Sequence, residues 1–359
     1  MTHLGDLGTT RRDVLGGLLL GVAGPQAWAV PPLLSQEFID TGMTTPQVHA
    51  STVAELPDGS LLAAWFGGTA ERAPDVRIWC ARRLAGVWSP PQAVADGIQP
   101  DGKRLPTWNP VLFQAGVSQG GRLLLFYKVG PSPQQWWGEL ITSDDGGQHW
   151  SKPQRLPDGV LGPIRSKPLQ LADGTLLCPS STEDDQGHWR IHFERSQDLG
   201  RSWGGGAPVQ DPRGLAMIQP SLVLRPDGSV LAFARSLSNR IAVTRSRDGG
   251  LTWSPPTLTP LPNPNAGIEA LGLADGRLLM VFNPRERGRD WWNGRDRLDL
   301  ALSGDGGRRW RTVFTLEDEP GQEFSYPAAI QSRDGSVHIT YTYKRRQIRH
   351  VQLDPHRLG

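Results

Sequence analysis

Cysteine is nearly absent. The 359 residues hold two, Cys80 and Cys178, each inside an apolar run that reads as a strand. A disulfide-built scaffold is excluded. One bridge between the two remains open, but two separate buried thiols are the expectation. An excess of charge of one sign is also missing. Lys and Arg number 38 against 36 Asp and Glu, a formal charge of +2, which leaves no electrostatic case for nucleic acid or an acidic membrane as partner. The eight histidines are scattered. With neither His-x-x-Glu-His nor paired-cysteine spacing, no metal is expected. No glycine-rich phosphate loop opens a helix, and no cofactor is expected. Long helical periodicity is scarce.

What the chain does have is turn residues and tryptophan: 43 Gly, 31 Pro and 14 Trp. Turn-dense, aromatic and β-branched text of this kind predicts an all-β protein. Four octets share the form S-x-D-x-G-x-x-W: SDDGGQHW (143–150), SQDLGRSW (196–203), SRDGGLTW (246–253) and SGDGGRRW (303–310). Six hairpin turns flanked by apolar residues punctuate the chain: Asp58-Gly59, Gly120-Gly121, Asp173-Gly174, Asp227-Gly228, Asp275-Gly276 and Asp334-Gly335. Asp-Gly between apolar runs is a strong hairpin signal because the turn needs positive φ. The hairpins recur every 50 to 60 residues or so, and the octets follow the second to the fifth of them. A decayed copy ending at Trp88 follows the first. The unit is therefore strand, turn, strand, loop, strand, box, strand, which is one propeller blade. Six units predict a six-bladed β-propeller, with a strand near residues 36–41 completing the last sheet. In the box, Ser and Asp cap backbone N–H groups, Gly takes the positive φ and Trp packs beneath.

The N-terminus reads differently. Arg11-Arg12, an apolar run at 14–23 and Ala27-Trp28-Ala29 have the order of an export signal. The run is too short to span a bilayer. The paired arginines suggest the bacterial route for folded proteins. Residues 1–29 are expected to be a twin-arginine signal peptide and 30–359 a single propeller domain, periplasmic or secreted.

Both kinds of turn fall at one end of the barrel. Counting about eight residues away from each hairpin turn reaches the other end. There stand His49, Arg165, Gln219, Gly267 and Tyr326 before the turns, and Lys128, Ser181, Arg235, Asn283 and Thr342 after them. Lys167 adds charge beside Arg165, and Trp108-Asn109 opens the second blade. The loops at this end carry Glu71 and Asp75, Trp136-Trp137, residues 183–185 (Glu-Asp-Asp) and Trp291-Trp292. Arg345 and its basic neighbours are read as surface charge on the last strands. Carboxylates, arginines and tryptophans around one mouth suit a sugar, since indole stacks on pyranose faces and charged groups hold polar substituents. A glycan is the expected partner.

At this point the sequence resembles the sialidase superfamily, in particular the bacterial neuraminidase-like group with BNR (Asp-box) repeats. The resemblance covers nearly all of residues 30–359. It implies a six-bladed propeller that binds an acidic sugar through arginines and attacks it with a tyrosine. Tyr326 in SYPAAIQ stands at the family's nucleophile, and Arg235 in LAFARS and Arg295 in NGRDRLD at two carboxylate-binding arginines, with Arg297 close by. His49 stands where the family has its first arginine, and Gln219 where it has the glutamate that partners the tyrosine. Glu71 and Asp75 occupy the loop of the acid/base carboxylate.

The resemblance implies an exported glycosidase for a terminal acidic sugar, sialic or uronic. Tyr326 is the nucleophile, Arg235 and Arg295 hold the sugar carboxylate, and Glu71 or Asp75 protonates the leaving oxygen. Glu269 or Glu323 replaces the missing partner of Tyr326, and His49 binds substrate or acts as a base. Gln219, Arg165, Lys167, Lys128, Trp108 and Asn109 are expected to contact the substrate. Two other readings stay open: β-elimination from a uronic acid, with Tyr326 or His49 removing the proton, and glycan binding without turnover.

Overall fold

In the computed structural model, residues 31–116, 121–289 and 293–359 are described. The expected export segment, Gly120 of the second hairpin turn and the Trp291-Trp292 pair lie outside the described residues. From Pro32 to Gly359 the chain forms one unit built of six antiparallel sheets. Each expected hairpin joins the first and second strands of a sheet. In the fourth, Met217–Leu224 and Val230–Ser236 meet around Gly228 at φ 76°. The sheets follow one another in sequence as blades of a ring. Their innermost strands are Gln47–Glu55, Thr107–Gln114, Leu169–Gln170, Met217–Leu224, Glu269–Gly272 and Phe324–Gln331. Apolar residues on facing sheets make the core. Leu62, Phe66 and Ile78 of blade 1 pack with Leu112, Leu125 and Tyr127 of blade 2, and Val281 and Leu300 of blade 5 with Phe324, Ile339 and Tyr341 of blade 6. Cys80 and Cys178 are separate, buried thiols.

The sixth blade takes its outer strand from the start of the unit. Leu33–Phe38 pairs antiparallel with Gln347–Leu353, Gln36 opposite Val351. The strand stops short of residue 41 because the Asp40 carboxylate accepts the N–H groups of Gly42 (3.1 Å) and Thr44 (2.7 Å) and turns the chain out of the ladder. Glu37 fastens this closure to both neighbours, accepting from Arg83 Nε of blade 1 at 2.7 Å and meeting His350 Nδ1 at 3.1 Å. His350 stacks on His338, ring planes 9° apart, their nitrogens 3.0 Å apart. Burial pushes His350 below the ordinary imidazole value, and His338 down to about 4. The folded ring therefore refuses protons that the unfolded chain accepts. Stability is complete above the unfolded value near 6.5 and falls as the pH drops toward 4. For His338 the slope reaches about 1.4 kcal/mol per pH unit. The urea midpoint is expected to decline over that window in wild type and to decline less in His338→Gln; parallel curves would refute the assignment.

The boxes staple each blade to the one before it. Ser246 Oγ donates to Asp248 Oδ1 (2.8 Å) and accepts from Gly250 N (2.8 Å), while Asp248 Oδ1 accepts from the N–H groups of Leu251 and Thr252. The Thr252 hydroxyl and these N–H groups hold the Asp248 carboxyl at about 2. Gly250, at φ 87°, lies against Leu177 of blade 3, where a Cβ would come within 2.7 Å. The Trp253 indole stacks on Phe193 of blade 3 at 3.8 Å between centroids. Trp203 meets Phe126 of blade 2, and Trp310 meets Phe233 of blade 4, edge to face instead, at 6.0 and 5.8 Å between centroids. Trp253 is half-buried, so Trp253→Ala is expected to cost up to about 3 kcal/mol. Urea unfolding checks this; an unaltered midpoint would contradict the staple.

Candidate active site

Four of the six innermost strands are bulged at the mouth. Register slips between His49 and Thr52, Trp108 and Val111, Ile218 and Ser221, and Ser325 and Ala328. Within each slip one non-glycine residue takes a left-handed φ: Ala50 (53°), Asn109 (42°), Gln219 (54°) and Tyr326 (55°). A bulge inserts one residue and re-aims its side chain. Asn109, Gln219 and Tyr326 all line one pocket of about 300 Å³ at the end of the ring opposite the boxes. A proline follows each of the three, and with no N–H it is tolerated within a strand only at an edge or a bulge.

Tyr326 sits at the centre. Its ring lies 4.1 Å from the His49 ring and against Gly267, where a Cβ would come within 3.2 Å. The guanidinium carbons of Arg165, Arg235 and Arg295 stand 5.8, 5.8 and 5.9 Å from its ring centre. Arg235 Nη1 donates to the phenolic oxygen at 2.8 Å and to Gln219 Oε1 at 3.2 Å; its Nε donates to Asn265 Oδ1 at 2.8 Å. None of these acceptors is a carboxylate. A buried guanidinium in a pocket wall with no carboxylate in contact among the described residues is a candidate site for an anion.

The other basic groups are braced by acids. Glu323 accepts from Arg295 Nη1 at 3.2 Å and from Arg345 Nε at 2.9 Å, and Arg345 Nη1 donates to Glu71 at 2.5 Å. Burial pushes the Glu323 carboxyl up, but Arg345 and Arg295 outweigh it and hold it below the ordinary value. His49 faces Thr342 Oγ1 at 2.9 Å. Burial first, then the charges of Arg345, Arg295, Arg235 and Arg165, push it well below the ordinary imidazole value, so it is neutral near pH 7. Among the described residues no group of three or more His, Cys, Asp or Glu is placed to hold a metal.

Of the residues expected at the mouth, His49, Glu71, Trp108, Asn109, Gln219, Arg235, Arg295 and Tyr326 line the pocket. Arg297 does not compete with Arg295, because it pairs with Asp299 and Asp318 at the edge of blade 5. Six of the expected residues need correction. Asp75 turns into its own loop, accepting from Thr69 N at 3.0 Å and from the Thr69 hydroxyl. Lys128 is buried with its Nζ on Pro163 O at 2.9 Å, since strand alternation aims it at blade 3, away from the channel; burial lowers it to about 7 against the pull of Glu194. Glu269 does not bond Tyr326. It is buried below the pocket with Arg165 Nη2 at 2.9 Å and Lys167 Nζ at 3.7 Å, and these two cations face it rather than the mouth. Arg345 is not surface charge. Lys344 and Arg345 both take left-handed φ, 53° and 59°, and this tight turn swings Arg345 over the mouth. Glu183, Trp136, Trp189 and Asn265 also line the pocket without having been assigned roles. Prolines inside three strand-like segments and a hairpin too short for an open loop were the signals for the bulges and for Arg345.

A family model described as the BNR repeat-like domain matches residues 59–339. An anhydrosialidase of Macrobdella decora is 26% identical over 230 residues, 55% of this chain and 28% of that protein. A sialidase of Micromonospora viridifaciens is 26% identical over 310 residues, 82% of this chain and 42% of that protein. The chain thus spans less than half the length of these curated relatives. A solved structure of a variant NanB sialidase from Streptococcus pneumoniae shares the fold with a TM-score of 0.70 at 13% identity, over 91% of this chain and 71% of that one. With six blades, four boxes and a match running through most of its length, the chain belongs to the sialidase-like BNR-repeat propeller superfamily.

Proposed function

We propose that the protein is a sialidase-like glycosidase that removes a terminal acidic sugar from a glycan. The observation that carries this reading is Arg235: a buried guanidinium whose side-chain partners among the described residues are two amide oxygens and the phenolic oxygen of Tyr326 at 2.8 Å, with no carboxylate. A sugar carboxylate at Arg235, with Arg295 and Arg345 beside it, brings the anomeric carbon next to it over Tyr326. Covalent attack by a tyrosine is the known exception to the two-carboxylate rule for glycosidases. The test is incubation of the protein with sialic and uronic acid glycosides. Release of the free sugar supports hydrolysis, and an unsaturated product absorbing in the ultraviolet would indicate elimination instead. Binding without any product would favour a glycan receptor. That outcome has its own support: the side chain that shares Arg235 Nη1 with the tyrosine is Gln219, not a carboxylate.

The clamp makes a selective prediction. Arg235→Ala is expected to weaken an acidic sugar about ten- to a hundredfold, and to leave the matching sugar alcohol little affected. Lysine restores part of the loss, since it offers a point charge without the planar fork. Calorimetry with the paired ligands checks this; equal losses would make Arg235 a brace for the blade and not a ligand group.

A further inference from the structure

Most acids in or under the pocket are already committed to a cation. Glu71 pairs with Arg345, Glu323 with Arg295 and Arg345, and Glu269 with Arg165 and Lys167. Glu183 is the exception. It is the last residue of the strand Leu176–Glu183 in blade 3, paired across the sheet with Trp189, and both line the pocket. Its carboxyl makes no hydrogen bond or ion pair to any described residue. Blade 3 stands three places round the ring from blade 6, which carries Tyr326, so the two side chains enter the pocket from opposite walls.

We propose that Glu183 is the general acid of this site, delivering a proton to the glycosidic oxygen as it leaves; the assignment rests on the glycosidase reading above. Three features favour it. A sugar held between the two walls presents opposite faces to Tyr326 and Glu183, as displacement requires. The carboxyl is free to turn toward the substrate, whereas Glu71 would first have to leave Arg345. Burial also pushes the Glu183 carboxyl up from its ordinary value against the pull of Arg235, the direction that suits a general acid.

The steps balance. The Tyr326 oxygen bonds to the anomeric carbon and its proton passes to water. The bond to the leaving group breaks with its electron pair on the leaving oxygen, which takes the proton of Glu183. In the second half, Glu183 as carboxylate removes a proton from an entering water, whose oxygen bonds to the anomeric carbon. The tyrosine oxygen departs with its electron pair and recovers a proton from solvent.

The test compares two substrates of the same acidic sugar, one with a nitrophenolate leaving group and one with an alcohol. In Glu183→Gln, kcat/KM for the alcohol substrate is expected to fall about 10²- to 10⁴-fold. The nitrophenyl substrate, which departs without a proton, loses only a few-fold. The alkaline limb of the wild-type pH profile disappears in Glu183→Gln, and returns in Glu183→Asp, which also guards against a folding defect. Equal losses on both substrates, or a change confined to KM, would mean that Glu183 holds a sugar hydroxyl, and would overturn the proposal. A leaving-group dependence found in Glu71→Gln instead would move the role to Glu71. Wild-type protein that turns over neither substrate would defeat the glycosidase reading itself and this assignment with it. Normal turnover insensitive to Glu183 would defeat the assignment alone.

Discussion

Tyr326→Phe is expected to lower turnover by at least about a thousandfold while leaving the affinity for an acidic, non-hydrolysable sugar within a few-fold of wild type. The substitution deletes one oxygen. The ring keeps its place against His49 and Gly267, so the pocket keeps its shape. Arg235 loses one acceptor but retains Gln219 and Asn265. On the proposed function, what disappears is the atom that would form the covalent bond, and removing a nucleophile costs far more than removing a binding contact. A thousandfold loss corresponds to about 4 kcal/mol of transition-state stabilisation. Single-turnover kinetics together with inhibitor titration separate the two effects. Residual turnover near wild type would place the nucleophile elsewhere, and a parallel collapse of binding would make Tyr326 a structural residue.

The second large effect is one of stability. Glu269→Ala is expected to cost about 3–5 kcal/mol, because it leaves the buried Arg165 and the half-buried Lys167 under the pocket without their shared counter-charge. Arg165 has further acceptors, including Pro327 O at 2.6 Å and Ile268 O, but carbonyl dipoles do not neutralise a charge. Glu269→Gln keeps the volume and removes the same charge, so it should lose nearly as much. Urea midpoints of the two variants decide the matter. If Gln were tolerated and only Ala destabilised, packing and not charge would be what Glu269 supplies.

The architecture was legible because it repeats. Asp-Gly turns and boxes recur with a fixed spacing, and each copy reinforces the same blade, so the ring and its two ends follow from counting. The same count brings Gln219, Tyr326 and Arg235 to the mouth, but it does not show how each side chain is aimed. Arg235, on a second strand without a bulge, stands where an eight-residue count places it. Tyr326, Gln219 and Asn109 lie at slips that counting does not see, and they reach the pocket through left-handed backbone at one position each. Lys128 shows the opposite failure: the right height on a strand but the wrong parity, so its side chain meets blade 3. Arg345 lies in a run of charge that composition alone assigns to solvent, and only the handedness of its two-residue turn redirects it. Glu183 carried no motif, and its interest comes from what its neighbours do with their charges.

The closure of the ring sets an order of events in folding. Glu37 and His350 are 313 positions apart in the chain, yet they meet in one sheet. Five blades can form from local hairpins as the polypeptide is made, while the strand that seals the circle waits for a partner made some 313 positions later. Until then the ring is open, with an unpaired strand on each side of the gap. Such edges readily recruit other chains, and contacts of this sequence separation form slowly. The slowest step in the life of this molecule is therefore expected to be its last seam, and the concentration of chains waiting to close it should govern how much of the protein is lost to aggregation.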